Sequence, residues 1–246
     1  MSKTTWENVS GWYDEIVSAD GHFYHKEVIL PALLPYLKEK NVRIIDLGCG
    51  QGILERQIPK EIDYLGVDGS KSLISAAQKR ASSKKHQFLV RDLTQPFPVE
   101  QKFTHAIFLL SLQNMADSVA ALKNAKSALV KGGKLLLVLN HPCFRIPRQS
   151  HWGVDEAKRL QYRRMDSYMS ELEIPIQQKP SKGKKSVVTY SYHMPLSSLM
   201  KCLAKAGFAI TTIEELCSTK KSVGGKSKME NRARKEFPLF MLIVAS

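Results

Sequence analysis

The sequence predicts an α/β fold built on a largely parallel sheet, on three observations. Short apolar runs rich in β-branched residues recur at 42–47, 64–67, 88–91, 105–110 and 134–139. Stretches with helical apolar spacing lie between them, at 70–81 and 118–129, and strands alternating with helices argue for βαβ units. A glycine-rich turn, Gly48-Cys49-Gly50-Gln51-Gly52, follows the first run directly, where a strand must hand over to a helix.

The remaining elements follow in order. Residues 6–17 and 24–37 read as two helices with Gly21 at the turn between them, and Pro31 and Pro35 limit the regularity of the second. They form an expected N-terminal helical cover over 1–40. Lys131-Gly132-Gly133 is the expected helix stop before the fifth strand. Pro195 opens a helix that runs to Ala206 and stops at Gly207, strand-like 208–214 follows, and 238–245 closes a set of seven strands in a single domain over 1–246.

Two segments break the alternation. Residues 141–190 are too long for an ordinary connection and carry Trp152, Tyr162, Arg163, Arg164, Met165 and Tyr168, so an inserted substrate cap is expected. Residues 218–236 are polar and Lys/Arg-rich around Gly224-Gly225, and read as a basic flexible linker.

Composition bounds the partners. With 246 residues and 43% hydrophobic content the chain can build a sizeable core, which excludes fibrous and disordered classes. Lys plus Arg at 37 against Asp plus Glu at 23 gives +14, favouring an anionic partner: nucleic acid, an acidic small molecule or a membrane surface. Cys49, Cys143, Cys202 and Cys217 are scattered without zinc spacing, so neither a disulfide framework nor a metal site is expected, and a reducing cytoplasm fits. The N-terminus lacks an apolar signal stretch and no window approaches the roughly 20 apolar residues of a membrane span, so the protein reads as soluble, with no membrane partner.

The chemistry concentrates at the glycine turn. A dinucleotide fingerprint G-x-G-x-x-G would need glycine where Ile53 stands, and the phosphate-cradling G-x-x-x-x-G-K-[ST] is absent. The spacing is G-x-G-x-G, with Asp46 two residues ahead of it. Asp68 closes the second strand, where a carboxylate can accept from both ribose hydroxyls, with Gly69 beside it. Asp92 follows the third strand, placed to accept from an adenine amino group, and Asp46 sits near the expected ammonium end of an amino acid moiety. Helix N-caps or solvated loop acids are the alternative roles of Asp68 and Asp92, and packing is the alternative for Cys49.

With Asp46 to Gly52 as D-x-G-C-G-x-G, Asp68, Asp92-Leu93 and the fourth-strand segment 106–115, the chain resembles the class I S-adenosylmethionine-dependent methyltransferases, of the small-molecule type. The resemblance covers 42–139 well and does not cover 141–190. It implies a Rossmann-like seven-stranded sheet of order 3-2-1-4-5-7-6 with the last strand antiparallel, S-adenosyl-L-methionine as cofactor and S-adenosyl-L-homocysteine as product. It places the cofactor against Asp46, Gly48, Cys49, Gly50, Gln51, Gly52, Asp68, Gly69, Asp92, Leu93, Leu110 and Ser111, with Tyr13, Tyr24 and His25 closing over its methionine end; core packing is the alternative for these three.

The implied reaction is in-line methyl transfer, in which positioning dominates and a base is needed only for a protonated acceptor. His141, directly after the fifth strand, is the first candidate base and His193 the second; a hydrogen-bonded structural histidine is the alternative for each. His22, His86, His105 and His151 carry no comparable argument. The fourth strand ends Leu110-Ser111-Leu112-Gln113-Asn114, without the Asn/Asp-Pro-Pro-aromatic signature of amino-methylating nucleic-acid enzymes and without a cysteine to attack a pyrimidine. The expected acceptor is the O or N atom of a small anionic molecule, with Arg145, Arg148, Arg163 and Arg164 suited to its carboxylate or phosphate. The alternative is a tRNA or rRNA acceptor, gripped by Lys182, Lys184 and Lys185 together with Lys220, Lys221, Lys226, Lys228, Arg232, Arg234 and Lys235. A third possibility is a binding module that has lost activity.

Overall fold

A computed structural model of the chain describes residues 6–11, 21–178 and 187–246. The strands in chain order are β1 (Arg43–Leu47), β2 (Asp63–Asp68), β3 (Gln87–Val90), β4 (Phe103–Leu109), β5 (Leu129–Asn140), β6 (Ser150–Asp155), β7 (Leu160–Met165), β8 (Leu172–Gln177), β9 (Val188–His193), β10 (Ile210–Leu216) and β11 (Phe240–Ala245). Seven of them form the main sheet in the order β10-β11-β5-β4-β1-β2-β3, with β11 antiparallel to both β10 and β5 and the β1, β2, β3, β4 and β5 pairings parallel. Counting main-sheet strands alone, this is the expected 3-2-1-4-5-7-6.

The central strands are buried on both faces, which is why they read as continuous apolar runs. On one face Ile45, Leu47, Phe108, Leu135, Leu137 and Ile243 pack under helices α3 (Ser118–Ala128) and α4 (Leu196–Lys205). On the other, Ile44, Ile107, Leu136, Val138 and Leu242 meet the N-terminal helical segment, whose Ile29 and Leu33 are fully buried. That segment is a π turn at His25–Ile29, one α-turn, α1 (Leu30–Leu33), and a 3-10 turn at Leu34–Leu37. Pro31 and Pro35 lack the N–H an unbroken helix requires, which accounts for the irregularity. Of the helix expected over 6–17, Trp6–Val9 forms a 3-10 turn and residues 12–17 lie outside the described residues.

Local chemistry sets the helix ends. Ser70 Oγ accepts from Leu73 N at 3.2 Å to start α2 (Lys71–Arg80), and Asp117 Oδ1 accepts from Ala120 N at 2.8 Å to start α3. The α4 helix follows Pro195, and Gly207 lies just beyond its end at φ +84°. Lys131-Gly132-Gly133, expected to stop the preceding helix, instead lies within β5 beside an irregular step in its pairing with β4, and α3 ends earlier, at Ala128.

Among its described residues the insertion forms no helix. It holds two antiparallel hairpins, β6–β7 and β8–β9, apart from the main sheet. Expectation and structure part at 218–236, which is not a flexible linker throughout: α5 (Ser227–Glu236) packs on β7 with Ala233 buried. Asn231 further ties the preceding loop, accepting from Ser222 N at 2.8 Å and donating to Ser222 O at 3.0 Å. The run Met229-Glu230-Asn231-Arg232-Ala233-Arg234-Lys235 is mostly strong helix formers, whose propensity its charge had masked.

Candidate active site

At the C-terminal end of β1 the chain turns sharply, with Gly48 N and Cys49 N both donating to Val67 O at 2.7 and 3.1 Å. Gly48 has φ +79°, and a Cβ there would lie 2.4 Å from Ser111 Cβ, so no other residue fits. Gly50 N donates to Asp68 Oδ2 at 2.9 Å, and Ser70 N to Asp68 Oδ1 at 2.8 Å, which fixes the carboxylate between the glycine turn and α2. Burial pushes the Asp68 carboxyl up, against these backbone bonds.

A cavity of about 840 Å³ opens over the ends of β1, β2, β3, β4 and β5. Of the residues expected at the cofactor, Tyr24, Gly48, Gly50, Asp68, Gly69, Asp92, Leu93, Leu110 and Ser111 line it. Asp92 is held by its own turn, Oδ1 accepting from Thr94 N at 2.9 Å and Thr94 Oγ1 at 2.7 Å. Leu110 sits at φ +56°, and Ser111 Oγ donates to Leu47 O at 2.5 Å, holding the end of β4 against the turn.

Asp46, Cys49, Gln51 and Gly52 do not line the cavity. They support the turn from behind: Cys49 Sγ lies close to where a Gly66 Cβ would stand, Gln51 O accepts from Arg56 Nη1 at 2.7 Å, and Gly52 at φ +82° faces Ala77 of α2. Tyr13 lies outside the described residues.

Asp46 is buried, its Oδ2 accepting from Tyr64 OH at 2.7 Å while Oδ1 has no hydrogen-bond partner. Burial pushes this carboxyl up to about 7, opposed by the Tyr64 hydroxyl and reinforced by the Asp68 charge. The folded protein therefore holds a proton over a pH range in which the unfolded chain, titrating near about 4, has released it, so this group's contribution to stability falls as pH rises toward 7. The Asp46→Asn variant, which keeps an acceptor for Tyr64, is expected to lose that decline, about 1.4 kcal/mol per pKa unit. Urea unfolding at pH 5 and pH 8 checks it: an unchanged pH slope in the variant would assign the dependence to other groups.

Neither candidate base takes the expected place. His141 does not line the cavity: its Nε2 meets Glu215 Oε1 at 2.8 Å, tying the end of β5 to β10, and its Nδ1 accepts from Cys143 N at 3.1 Å in the local turn, so both ring nitrogens are used. His193 borders a separate space of about 50 Å³, its Nε2 donating to Tyr168 O at 2.8 Å. The sequence reading had passed over His22, which lines the main cavity together with His25 and Tyr24. Glu7 was missed as well; it lines the cavity and accepts at Oε2 from Ser70 Oγ at 2.7 Å and Ser72 N at 3.1 Å, at the positive end of α2. The available signal was the aromatic cluster His22-Phe23-Tyr24-His25 directly after a turn glycine.

The insertion closes the far end of the cavity through Arg145, Pro147, Ile176, Gln178, Thr189 and Ser191. Arg145 is partly buried, its guanidinium 4.6 Å from the Phe240 ring centroid and 5.8 Å from that of Tyr24. No hydrogen bond satisfies its buried Nη1 among the described residues.

A sheet of order 3-2-1-4-5-7-6, a glycine turn after β1 and a cavity over the strand ends define a class I methyltransferase fold. The chain belongs to the methyltransferase-domain family, whose model matches residues 38–174. A solved S-adenosylmethionine-dependent methyltransferase of Mesorhizobium loti superposes with a TM-score of 0.68 at 24% identity, over 87% of this chain and 95% of that one. Among curated relatives, the carboxy-S-adenosyl-L-methionine synthase of Staphylococcus epidermidis is 29% identical over 54% of this chain and 60% of its own. A ubiquinone biosynthesis O-methyltransferase of Coxiella burnetii is 28% identical over 44% and 49%. The chain thus spans between 33% and 60% of the length of the curated relatives it matches. Among the described residues no helix is long and apolar enough to cross a membrane.

Proposed function

We propose that the protein transfers a methyl group from S-adenosyl-L-methionine to an O or N atom of a small anionic molecule. The observation that carries this reading is Arg145: a partly buried guanidinium in the cavity wall, whose buried Nη1 has no hydrogen-bond partner among the described residues, calls for an anion. When bound, S-adenosyl-L-methionine supplies a methyl group already activated on a sulfonium. The residues present fit it. Gly48 and Gly50 leave the turn without side chains, Asp68, held by backbone amides, keeps acceptor capacity for a ribose hydroxyl, and Asp92 with Leu93 offers an acceptor and an apolar wall for adenine. Glu7 and Trp6 border the same end.

Methyl transfer needs the acceptor held in line, and Ile176, Pro147 and Phe240 give the cavity an apolar wall alongside Arg145. The names of the two curated relatives, both attached to small molecules, agree with this reading. The test is incorporation of radiolabelled methyl into cell extract split into small-molecule, protein and RNA fractions. Label in the small-molecule fraction is expected; label confined to RNA would instead make the basic α5 surface the binding site.

A further inference from the structure

Among the described residues, the acceptor end of the cavity holds hydrogen-bond donors and no free base. His22 and His25 line it, and backbone amides occupy the same nitrogen of each ring: Tyr24 N donates to His22 Nδ1 at 3.1 Å, and His22 N donates to His25 Nδ1 at 3.3 Å. A ring that accepts at Nδ1 carries its proton at Nε2, so both neutral imidazoles present an N–H as their remaining polar group. The hydrogen bonds of the described residues leave the His25 Nε2 without a partner, while the His22 ring also meets its own backbone, which raises its pKa against the effect of burial. Burial holds both rings below the usual histidine range, His25 at about 4, and the Arg145 and Lys220 charges add to the effect on His22.

The cations gather on the same side. The His22 and Tyr24 ring centroids are 5.5 Å apart, and both Arg145 and Lys220 stand over the Tyr24 ring, at 5.8 and 4.9 Å. The cavity's carboxylates, Glu7, Asp68 and Asp92, belong to the N-terminal turn and the ends of β2 and β3. None of them is among the groups that act on His22, His25 or Arg145. A hydroxyl or ammonium acceptor must lose a proton to become a nucleophile, and none of the described residues at this end is placed to take it. An ionised oxygen needs no such step and answers every donor present.

We infer that the methyl-accepting atom is an oxyanion oxygen, of a carboxylate or a phosphoryl group, held in its ionised form by Arg145, His22 and His25. This rests on the proposed function and narrows it. A lone pair of the oxyanion forms the O–CH3 bond as the S–CH3 bond breaks, and that bond's electron pair stays on sulfur. Anion and sulfonium are both neutralised, and no proton is released. The product is a methyl ester.

Two measurements on the full chain test this. In long-range proton–nitrogen-15 spectra without any ligand, with His22→Gln and His25→Gln assigning the rings, both histidines are expected neutral with the proton on Nε2 at pH 7. A proton on Nδ1 of either, leaving Nε2 free as a base, would overturn the inference. In the second, carbon-13 methyl S-adenosylmethionine is incubated with the protein and the small-molecule fraction, and the product methyl is read by NMR. An ester methyl is expected, split by phosphorus if the acceptor is phosphoryl and unsplit if it is a carboxylate. A methyl on nitrogen, sulfur or an ether oxygen overturns the oxyanion assignment while leaving the proposed function standing; absence of any labelled small molecule overturns both. Each His→Leu variant is expected to lose about ten-fold or more in turnover, the weight of one hydrogen bond to a charged group, and each His→Gln variant, which keeps a donor at the ε position, to lose less than its Leu counterpart. Equal loss in Gln and Leu variants would favour a base.

Discussion

The Gly50→Arg variant is expected to bind S-adenosyl-L-methionine at least about 100-fold more weakly than the wild type, a change of about 2.7 kcal/mol or more. Gly50 lines the cavity between Gly48 and Asp68, and its amide holds Asp68 Oδ2 at 2.9 Å. Any side chain here projects beside the carboxylate proposed to take the ribose, and a guanidinium would also pair with that carboxylate directly. Backbone strain must be separated from occlusion, because Gly50 has φ +54° and a non-glycine residue in this region costs about 1–2 kcal/mol by itself. Gly132→Ala is the control: Gly132 has φ +75° and nothing within 4 Å of a Cβ built on it, so it carries the strain away from the cavity. Calorimetric titration of both variants decides the matter. Weak binding in Gly50→Arg alone places the ligand at the turn, and normal affinity there would remove the turn from the site.

That the turn was readable in advance, while the histidines were not, has a physical cause. A strand, a glycine turn and the acid that closes the next strand are local, and their geometry follows from positive φ and a missing Cβ. The main sheet was legible for a related reason: strands buried on both faces, such as β1 with Ile44, Ile45 and Leu47, must be apolar throughout. The hairpin β6–β7 buries no residue fully, and β9 buries only the polar Thr189, Ser191 and His193, so segments such as Leu160-Gln161-Tyr162-Arg163-Arg164-Met165 showed no apolar run to recognise. The address of His141 at the end of β5 was right, but a strand end does not say which way a ring turns. Its amide pairs with Leu239 O at 2.9 Å and its ring faces Glu215, a contact spanning 74 residues. His22 reaches the cavity because the N-terminal segment folds back over the sheet, a tertiary arrangement with no local signature.

The Arg145→Met variant is expected to move two quantities in opposite directions. Loss of the guanidinium should raise the acceptor KM about 100-fold, within the 2–5 kcal/mol range for truncating one partner of a buried charged pair, with S-adenosylmethionine affinity unchanged. Stability should rise, since a guanidinium whose buried Nη1 lacks a partner among the described residues is a desolvation cost that methionine does not carry. Contacts with the Phe240 and Tyr24 rings offset part of that cost, each by about 0.5–2 kcal/mol, so the net gain is expected near 1 kcal/mol, or about 2–4 °C in Tm. Burial already lowers the Arg145 pKa, with the Arg163 charge acting in the same direction. Arg145→Lys should fall between the two, keeping charge but losing the planar fork that grips two oxygens at once. A structural arginine would behave otherwise, because removing it lowers stability and leaves the acceptor KM alone. Thermal melts beside initial-rate kinetics therefore separate a residue kept for its ligand, at a standing cost to the fold, from one kept for the fold itself.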